Sequence, residues 1–443
     1  MISRRHVLAA ASGAALIPHL PSALAQAVPA AGLTPVGAIA AGSPDGRIPP
    51  WTGGLQEPPA GWSPALGYRD PFATDVPLAS IGRAELPAFR HELPDGLALL
   101  IERVPQMRLR LFATRRSACH PTDIAAGMQA RAGMPRTSGH ALVDAHGRYV
   151  PFPEPADGLQ AIWNVLRRYT GGGVVREGRS FAVRASGDAS MIGFWSRRFH
   201  ASHLEGAPED LHFAAMGGYL APASLRGQIA LVHEPFDLSR RSRAAWIYSS
   251  ALRRVRRAPD LAYDAVADGS EGIFTTDQVD GYNGSPDRFE WALLGRRTLI
   301  VPYNTYAIGE PPATASRILQ RGSVNPDLMR YELHRVWVVE ARLRQGQSHV
   351  YGLRRFFIDE DSWTVLVEEA YSPRGDLWRL ALHGLVQFYD ARVPGIRVSI
   401  YHDLDAGTYY VGGLDTERQP SIRFQLRGRF SDFLPDALAR MAV

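Results

Sequence analysis

Apolar and polar residues alternate along much of the chain from about residue 174 onward. The alternation is clearest in Tyr331–Leu343, where apolar side chains occupy most odd positions and Arg335 is the exception. This period is typical of a half-buried antiparallel strand. The same pattern, interrupted by turn residues, predicts further strands at 229–233, 244–248, 253–257, 289–301, 349–358, 363–371, 377–389, 397–402 and 408–411. We therefore predict one large antiparallel meander, which curls because a long flat sheet would overtwist.

A helical period precedes the sheet at residues 157–169. Asp157 is placed to cap its first turn, and three glycines at 171–173 end it. The apolar positions at spacing i, i+3, i+4 and i+7 are Leu159, Ile162, Trp163 and Leu166. Weaker helical patterns cover 81–100 and 123–132. The predicted fold class is therefore mainly β, of the α+β type, with a few helices covering the sheet.

The N-terminal residues predict an export signal followed by an extended arm. Residues 1–25 combine Arg4 and Arg5, an apolar run at 7–17 and a small-x-small cleavage site before Gln26, as secretory signals do. Both a general secretory and a twin-arginine signal fit the pattern. Residues 26–80 are rich in Gly, Pro and Ala, and we expect an arm anchored on the body by Trp51 and Trp62. A single β-rich domain is predicted over 81–443, with its helical segments near 81–170.

Composition narrows the possible functions. All 49 residues counted as Lys+Arg are arginine, so Schiff-base enzymes, P-loop nucleotidases and protein kinases are excluded. The single cysteine, Cys119, excludes internal disulfides, cysteine zinc sites and iron–sulfur clusters held by this chain alone. A formal net charge of +5, which is small and spread along the chain, does not indicate nucleic-acid binding. No stretch after the signal is long and apolar enough to span a bilayer, so we expect a periplasmic protein that is not integral to the membrane.

Catalytic and metal-binding patterns are weak. The chain contains no Gly-x-Ser-x-Gly nucleophile motif, and we predict no catalytic residue and no cofactor. One stretch of thirteen residues holds six side chains of metal-ligating type: His200, His203, Glu205, Glu209, Asp210 and His212. Their spacing matches no zinc-binding helix, and Gly206 with Pro208 favours a solvated loop over a metal site. No metal site is predicted.

Arginines are concentrated at 240–257, where seven occur without an acidic residue. The guanidinium group suits phosphate and carboxylate, so this hairpin is a candidate patch for an anionic ligand or a partner protein. Its candidate residues are Arg253, Arg254, Arg256 and Arg257. The alternative is the outward face of a hairpin whose arginine stems cover apolar surface.

Aromatic residues in the predicted strands indicate a possible ligand cavity. A curled sheet can leave its concave face open to an apolar ligand, with the helix at 157–169 as a lid. The cavity candidates are Trp246, Tyr248, Trp291, Trp337, Phe357, Trp363 and Trp378, and the lid candidates are the four apolar residues of the helix. The pattern does not decide between an open cavity and a packed core.

Several segments resemble a proteobacterial periplasmic family of unknown function whose members are often labelled outer membrane lipoprotein-sorting proteins. The resemblance rests on Ile48-Pro49-Pro50-Trp51-Thr52-Gly53-Gly54, Asn283-Gly284-Ser285-Pro286-Asp287-Arg288-Phe289 and Arg354-Arg355-Phe356-Phe357-Ile358-Asp359-Glu360-Asp361-Ser362-Trp363, and it covers roughly 33–415. It implies a half-barrel fold like that of the lipoprotein carriers LolA and LolB, and no catalytic residues. It also implies outer-membrane or exporter proteins as partners.

Two functions from different classes follow. The first is a carrier-like protein that binds a hydrophobic or lipid-like ligand in the half-barrel. The second is an accessory subunit of an envelope transport complex, with a packed core and no ligand. A metal- or cofactor-loaded enzyme, which a twin-arginine signal would favour, is the third possibility, and elemental analysis tests it.

Overall fold

A computed structural model describes residues 32–130, 134–145, 149–238, 240–258, 263–311, 313–416 and 421–441. The predicted signal at 1–25 lies outside these residues. No helix of the described residues is long and apolar enough to cross a membrane.

Strands make up most of the regular structure. They are β1 (Ala79–Ile81), β2 (Leu109–Phe112), β3 (Arg136–Ser138), β4 (Ala141–Val143), β5 (Gly173–Val183), β6 (Ala189–His200), β7 (Leu204–Glu205), β8 (Leu211–Ala221), β9 (Ile229–Pro235), β10 (Ala244–Ser249), β11 (Arg254–Arg257), β12 (Phe289–Pro302), β13 (Tyr331–Leu343), β14 (Leu353–Asp359), β15 (Val365–Tyr371), β16 (Leu377–Phe388), β17 (Val393–Asp403), β18 (Thr408–Leu414), β19 (Ile422–Arg423) and β20 (Gly428–Arg429).

The helices are short and lie mainly before β5 and at the C-terminal end. They are α1 (Leu86–Phe89), α2 (Asp95–Arg103), α3 (Thr122–Ala130), α4 (Gly158–Arg167), α5 (Ala315–Ile318) and α6 (Pro435–Met441). Single 3-10 turns occupy Pro64–Leu66, Arg90–Glu92, Ala201–His203, Thr276–Gln278, Pro286–Arg288, Ala307–Gly309, Pro326–Leu328 and Phe430–Phe433. The predicted helix at 81–100 is thus two helices, because Pro94 precedes α2 and ends the preceding turn.

The sheet consists of two antiparallel meanders joined edge to edge. One meander follows the chain from β12 to β18, and the other runs through β5, β6, β8, β9, β10 and β11. Strands β18 and β5 pair antiparallel and join them, with Tyr410 opposite Ala182. Strands β1 and β2 pair antiparallel, β2 adds to β13 through a short parallel pairing, and β19 adds to β5.

The first meander curls strongly. Strand β12 pairs with β13 and also approaches β15 and β16, which are two and three strands further along, so the meander bends back on itself. Strands β1 and β11 lie at opposite ends of the described sheet order and do not pair with each other, so the sheet is not closed into a barrel. The predicted fold class, a large curved and mainly antiparallel sheet with a few helices, is confirmed.

The central strands are covered on both faces. One face packs in the α2-side core, which includes Leu97, Leu333, Val338 and Phe357, and the other in the α4-side core, which includes Ile162, Trp337, Val339 and Trp363. The prediction that Tyr331–Leu343 is half-buried is therefore wrong, although its bounds are those predicted. Even its acidic and basic positions, among them Glu332 and His334, are buried.

The segment at 32–78 runs along the body with little regular structure, and its contacts are specific. The indole Nε1 of Trp51 donates a hydrogen bond to the carbonyl of Ala118 at 3.1 Å. In the other direction, Nε1 of the buried Trp363 donates to the carbonyl of Val36 at 2.8 Å. Trp62 stacks near Tyr68, with ring centroids 5.9 Å apart. This N-terminal segment thereby covers the turn between β14 and β15.

Candidate ligand-binding pocket

The predicted cavity aromatics lie in different parts of the molecule. Trp337 and Trp363 stack in the α4-side core with ring centroids 6.0 Å apart, and Trp291 packs against the same core. Phe357 points to the opposite face, into the α2-side core. Successive side chains of β14 lie on opposite faces of the sheet, so the position of Phe357 along the strand decides which core it enters.

The other three aromatics form no common surface with these. Trp246 and Tyr248 belong to the α6-side core, which includes Leu231 and Leu438 and lies between β8–β11 and the C-terminal helix. Trp378 stacks against the guanidinium of Arg379 at 3.9 Å. The structure therefore brings three of the seven candidates together and places the remaining four elsewhere.

Helix α4 has the cap and the buried face that the sequence predicts. The carboxylate of Asp157 accepts a hydrogen bond from the backbone N–H of Gln160 at 2.8 Å. Ile162 enters the α4-side core, and Trp163 enters a satellite cluster. The lid candidates Leu159 and Leu166 are half-buried beside both. The satellite cluster is small and separate from the main cores, and its buried members are Leu142, Ala145, Phe152, Trp163 and Phe236.

A pocket lies between the C-terminal end of α4 and strands β6, β8 and β9. It contains about 400 Å³ of space between protein atoms, including its open mouth. Apolar and charged side chains line it together: Trp163, Leu166, Arg167, Arg168, Arg198, His212, Phe213, Glu234, Leu238, Asp280, Tyr282 and Asn283. Two of the four lid candidates, Trp163 and Leu166, are among them. We call this the α4 pocket.

Most charges of the α4 pocket are paired. The carboxylate of Asp280 forms an ion pair with Arg168 at 2.6 Å and accepts a hydrogen bond from Arg198 at 3.1 Å. Burial alone would raise the pKa of Asp280, but these two guanidinium groups hold it below its ordinary value. Glu234 is paired with Arg243 at 2.5 Å. These three guanidinium groups and two carboxylates carry a net charge of one positive unit.

Arg167 is the exception. Its side chain is 2% exposed, and its Nη2 donates to the carbonyl of Phe236. The guanidinium lies over the ring of Phe236 at 4.1 Å and near that of Trp163 at 5.5 Å. Its Nε and Nη1 have no hydrogen-bond partner among the described residues. Burial lowers the pKa of Arg167 to about 10, so the group is still charged at neutral pH.

Two histidines near Arg167 are neutral. The rings of His200 and His212 are in edge-to-face contact with centroids 4.8 Å apart. Burial, together with nearby Arg167 and Arg198, lowers the pKa of His200 to about 3 and that of His212 well below its ordinary value. The imidazoles therefore add no positive charge at neutral pH.

The carboxylates of the same stretch face away from these imidazoles. Asp210 pairs with Arg241 at 2.8 Å, Glu205 lies 3.6 Å from Arg429, and Glu209 is exposed. His203 is linked to His200 only through the hydroxyl of Ser202. The six residues therefore do not converge on one point.

The arginine hairpin forms one end of the sheet. Strand β11 is the last strand in the described sheet order, and Arg253, at the turn before it, has a positive φ of 49°. The side chains of Arg253, Arg254, Arg256 and Arg257 are exposed and make no ion pair with a described residue. Charged side chains on an end strand discourage pairing with another sheet.

Sequence reasoning missed Arg167 and the partners of Glu234 and Asp280. A signal for Arg167 was present, because it follows Trp163 by four residues and so lies on the same face of α4. No local pattern indicated that Asp280, 113 residues after Arg167, would join the pocket.

Comparison with known proteins identifies the family. The model of the family described as "Protein of unknown function (DUF1329)" matches residues 80–439. An uncharacterised protein of Pseudomonas aeruginosa is 35% identical over 418 residues, which covers 93% of this chain and 92% of the relative.

Solved structures of similar proteins were also found. A DUF1329 family protein from Desulfovibrio piger has 13% identity and a TM-score of 0.45, covering 63% of this chain and 97% of its own. A LolA superfamily protein from Nitrosomonas europaea has 12% identity and a TM-score of 0.37, covering 64% of this chain and 100% of its own. The resemblance seen in the sequence is thus confirmed by the family match, and the chain belongs to the DUF1329 family.

Proposed function

We propose that this protein is a carrier-like binding protein of the periplasm that takes the acidic group of an amphipathic ligand in the α4 pocket. The single observation that supports this proposal best is Arg167, a buried guanidinium with two unpartnered nitrogen atoms. Leaving a buried charge unpaired costs several kcal/mol, and an anionic group at the pocket would offset that cost. The periplasmic location rests on the predicted signal at 1–25.

The surroundings of Arg167 suit an amphipathic molecule better than a free ion. Trp163, Phe213 and Tyr282 give the pocket aromatic walls, and Leu166 and Leu238 lie beside them. The satellite cluster continues this apolar surface beneath α4. Because that cluster has far fewer members than the main cores, less apolar contact has to be broken to open it than to open either main core. The ligand chain would enter there, with α4 as the moving cover.

Matched probes test the proposal by calorimetry. Dodecyl phosphate should bind the mature protein, whereas dodecanol and inorganic phosphate should each bind at least tenfold more weakly. The Arg167→Met variant should lose the preference for dodecyl phosphate over dodecanol. Equal binding of inorganic phosphate and dodecyl phosphate would reduce the pocket to an ion site, and no binding of any probe would contradict the proposal.

A docking role is the second candidate, because the central strands are covered on both faces by the α2-side and α4-side cores. In this case the exposed arginines of β11 would meet an acidic surface on an outer-membrane or exporter protein. Replacing Arg254, Arg256 and Arg257 by Gln should then abolish crosslinking to a membrane protein in cells. The same variant should leave the binding of dodecyl phosphate unchanged.

A further inference from the structure

A second unusual cluster lies in the turn between β14 and β15. The turn contains three consecutive acids, Asp359, Glu360 and Asp361, and all three are buried. Its closing residue, Trp363, has a positive φ of 58°, and its N–H donates to the carbonyl of Asp359 at 2.9 Å. Turns usually face solvent because their backbone and charges need water. This one is covered by the N-terminal segment.

Two of the three acids are compensated by arginine. Asp361 accepts two hydrogen bonds from Arg116, at 2.6 and 2.9 Å. Glu360 accepts from Arg335 at 3.0 Å and lies 3.6 Å from Arg296. Each therefore has the partner that a buried carboxylate needs.

Asp359 has no cation within ion-pair distance among the described residues. Its Oδ2 accepts from the hydroxyl groups of Ser362 at 2.6 Å and Tyr303 at 3.2 Å. Its Oδ1 is buried and has no hydrogen-bond partner among the described residues. A fully buried carboxylate oxygen is thus left without a donor.

His334 faces the same point from the neighbouring strand β13. Its Nε2 lies 3.0 Å from Oε2 of Glu332, whose other oxygen, Oε1, accepts from Arg330 at 2.6 Å. Histidine ligands of metal ions commonly donate their second N–H to a carboxylate in this way, which fixes the tautomer. With Nε2–H directed at Glu332, the lone pair of Nδ1 is the one free to bind.

We propose that His334, Asp359 and Asp361 form a binding site for one divalent transition-metal cation of the zinc type. Ligand atoms of the three side chains lie within 4.8 Å of one another. A point equidistant from three atoms at that spacing lies about 2.8 Å from each, so the ligands move in by less than about 1 Å to reach zinc distances. Imidazole nitrogen with two carboxylates is a donor set that zinc accepts. The ion would link β13 to the β14–β15 turn.

Metal counting with an isosteric variant tests this site. The mature chain, without a histidine tag, is produced in zinc-supplemented medium, and a second sample is stripped with EDTA and incubated overnight with Zn²⁺. After desalting, plasma mass spectrometry should find close to one zinc per chain in both samples, and the melting temperature should rise by several degrees over the stripped protein. Asp359→Asn should reduce zinc to below a tenth of an equivalent. Its melting temperature in EDTA should stay within a few degrees of that of the wild type, which shows that it folds.

The matched control is His203→Gln, which removes a histidine from the β6–β8 connection and should retain the full equivalent of zinc. Zinc-free wild-type protein from both preparations would overturn the proposal. So would Asp359→Asn protein that binds as much zinc as the wild type, because the metal would then be held elsewhere.

Discussion

Replacing Arg167 by Met should abolish anion binding without destabilising the protein. The fall in the pKa of Arg167 to about 10, against an ordinary value of 12.5, corresponds to about 3 kcal/mol against the charged form in the folded state. The cation–π contact with Phe236 and the hydrogen bond to its carbonyl recover about 1–3 kcal/mol of this. Methionine keeps the apolar stem and removes the charge. We expect the free energy of unfolding to stay the same or to rise by about 1–2 kcal/mol.

The matched control is the same substitution at a paired arginine. Arg354 is fully buried and is held by Asp277 and by Glu368, each at 2.6 Å. Arg354→Met leaves two buried carboxylates without their cation, which should cost about 3–5 kcal/mol. The same substitution is thus predicted to destabilise the protein at Arg354 but not at Arg167.

Thermal unfolding at pH 7 measures both effects. At about 2.1 cal/mol/K per residue, a chain of 443 residues unfolds with an entropy of about 0.9 kcal/mol/K, so 1 kcal/mol shifts the melting temperature by about 1 °C. Arg167→Met should then melt at the wild-type temperature or about 1–2 °C above it, and Arg354→Met about 3–5 °C below it. If Arg167→Met lowers the melting temperature as much as Arg354→Met does, the reasoning is refuted, because Arg167 would then be paired in the folded protein.

Three further predictions follow from the packing. Gly158→Ala should lower the free energy of unfolding by about 1–3 kcal/mol and weaken dodecyl phosphate binding, because a Cβ there would lie 2.8 Å from the backbone of β12. The control is Gly127→Ala in α3, where a Cβ meets open space, so this variant should be neutral or stabilising in the same melting assay. Cys119 should react with an aromatic disulfide reagent only after unfolding, since burial raises the pKa of its thiol to about 12, and rapid labelling of the native protein would show that the N-terminal segment does not cover it. Burial lowers the pKa of His383 to about 3, so below pH 6.5 the unfolded chain takes up a proton that the folded chain does not, and stability falls as the pH falls. Proton uptake by His383 in the unfolded chain should lower the free energy of unfolding by about 2 kcal/mol at pH 5. His383→Gln removes this contribution, so its melting temperature should fall about 2 °C less than that of the wild type between pH 7 and pH 5.

Local elements were predictable because their causes are local. The alternation in Tyr331–Leu343 fixes β13 at the predicted residues, and the strand predicted at 377–389 ends one residue earlier, at Phe388. Asp157 caps α4 as expected, because an acidic side chain at that position meets a free backbone N–H. Short-range hydrogen bonding and side-chain period determine these features, and both can be read from neighbouring residues.

The covering of the sheet was not predictable in the same way. Glu332 and His334 occupy positions of β13 that look solvent-facing in the pattern, yet residues from other segments cover them. The backbone N–H of Arg115 and the side chain of Asn304 donate to Glu332, and the ring of Tyr303 stacks on that of His334. Alternation tells which residues share a face, but not whether a second layer lies over that face. For the same reason the sequence does not show that the seven aromatics lie in different cores. The period of two does already place Phe357 and its neighbour Phe356 on opposite faces of the sheet.

The two proposed sites share one physical basis. In a chain with 49 arginines and 44 acids, buried charges such as those of Arg354 and Asp361 are matched within the fold, the first by two carboxylates and the second by Arg116. Arg167 and Asp359 depart from this rule with opposite signs, and they lie in different clusters, so neither neutralises the other. A buried charge that the fold leaves unmatched must lose its charge or find its counterion outside the chain. At neutral pH the guanidinium of Arg167 keeps its proton, and the proposed anionic ligand would supply its counterion, whereas the proposed cation would serve the free carboxylate oxygen of Asp359 beside His334.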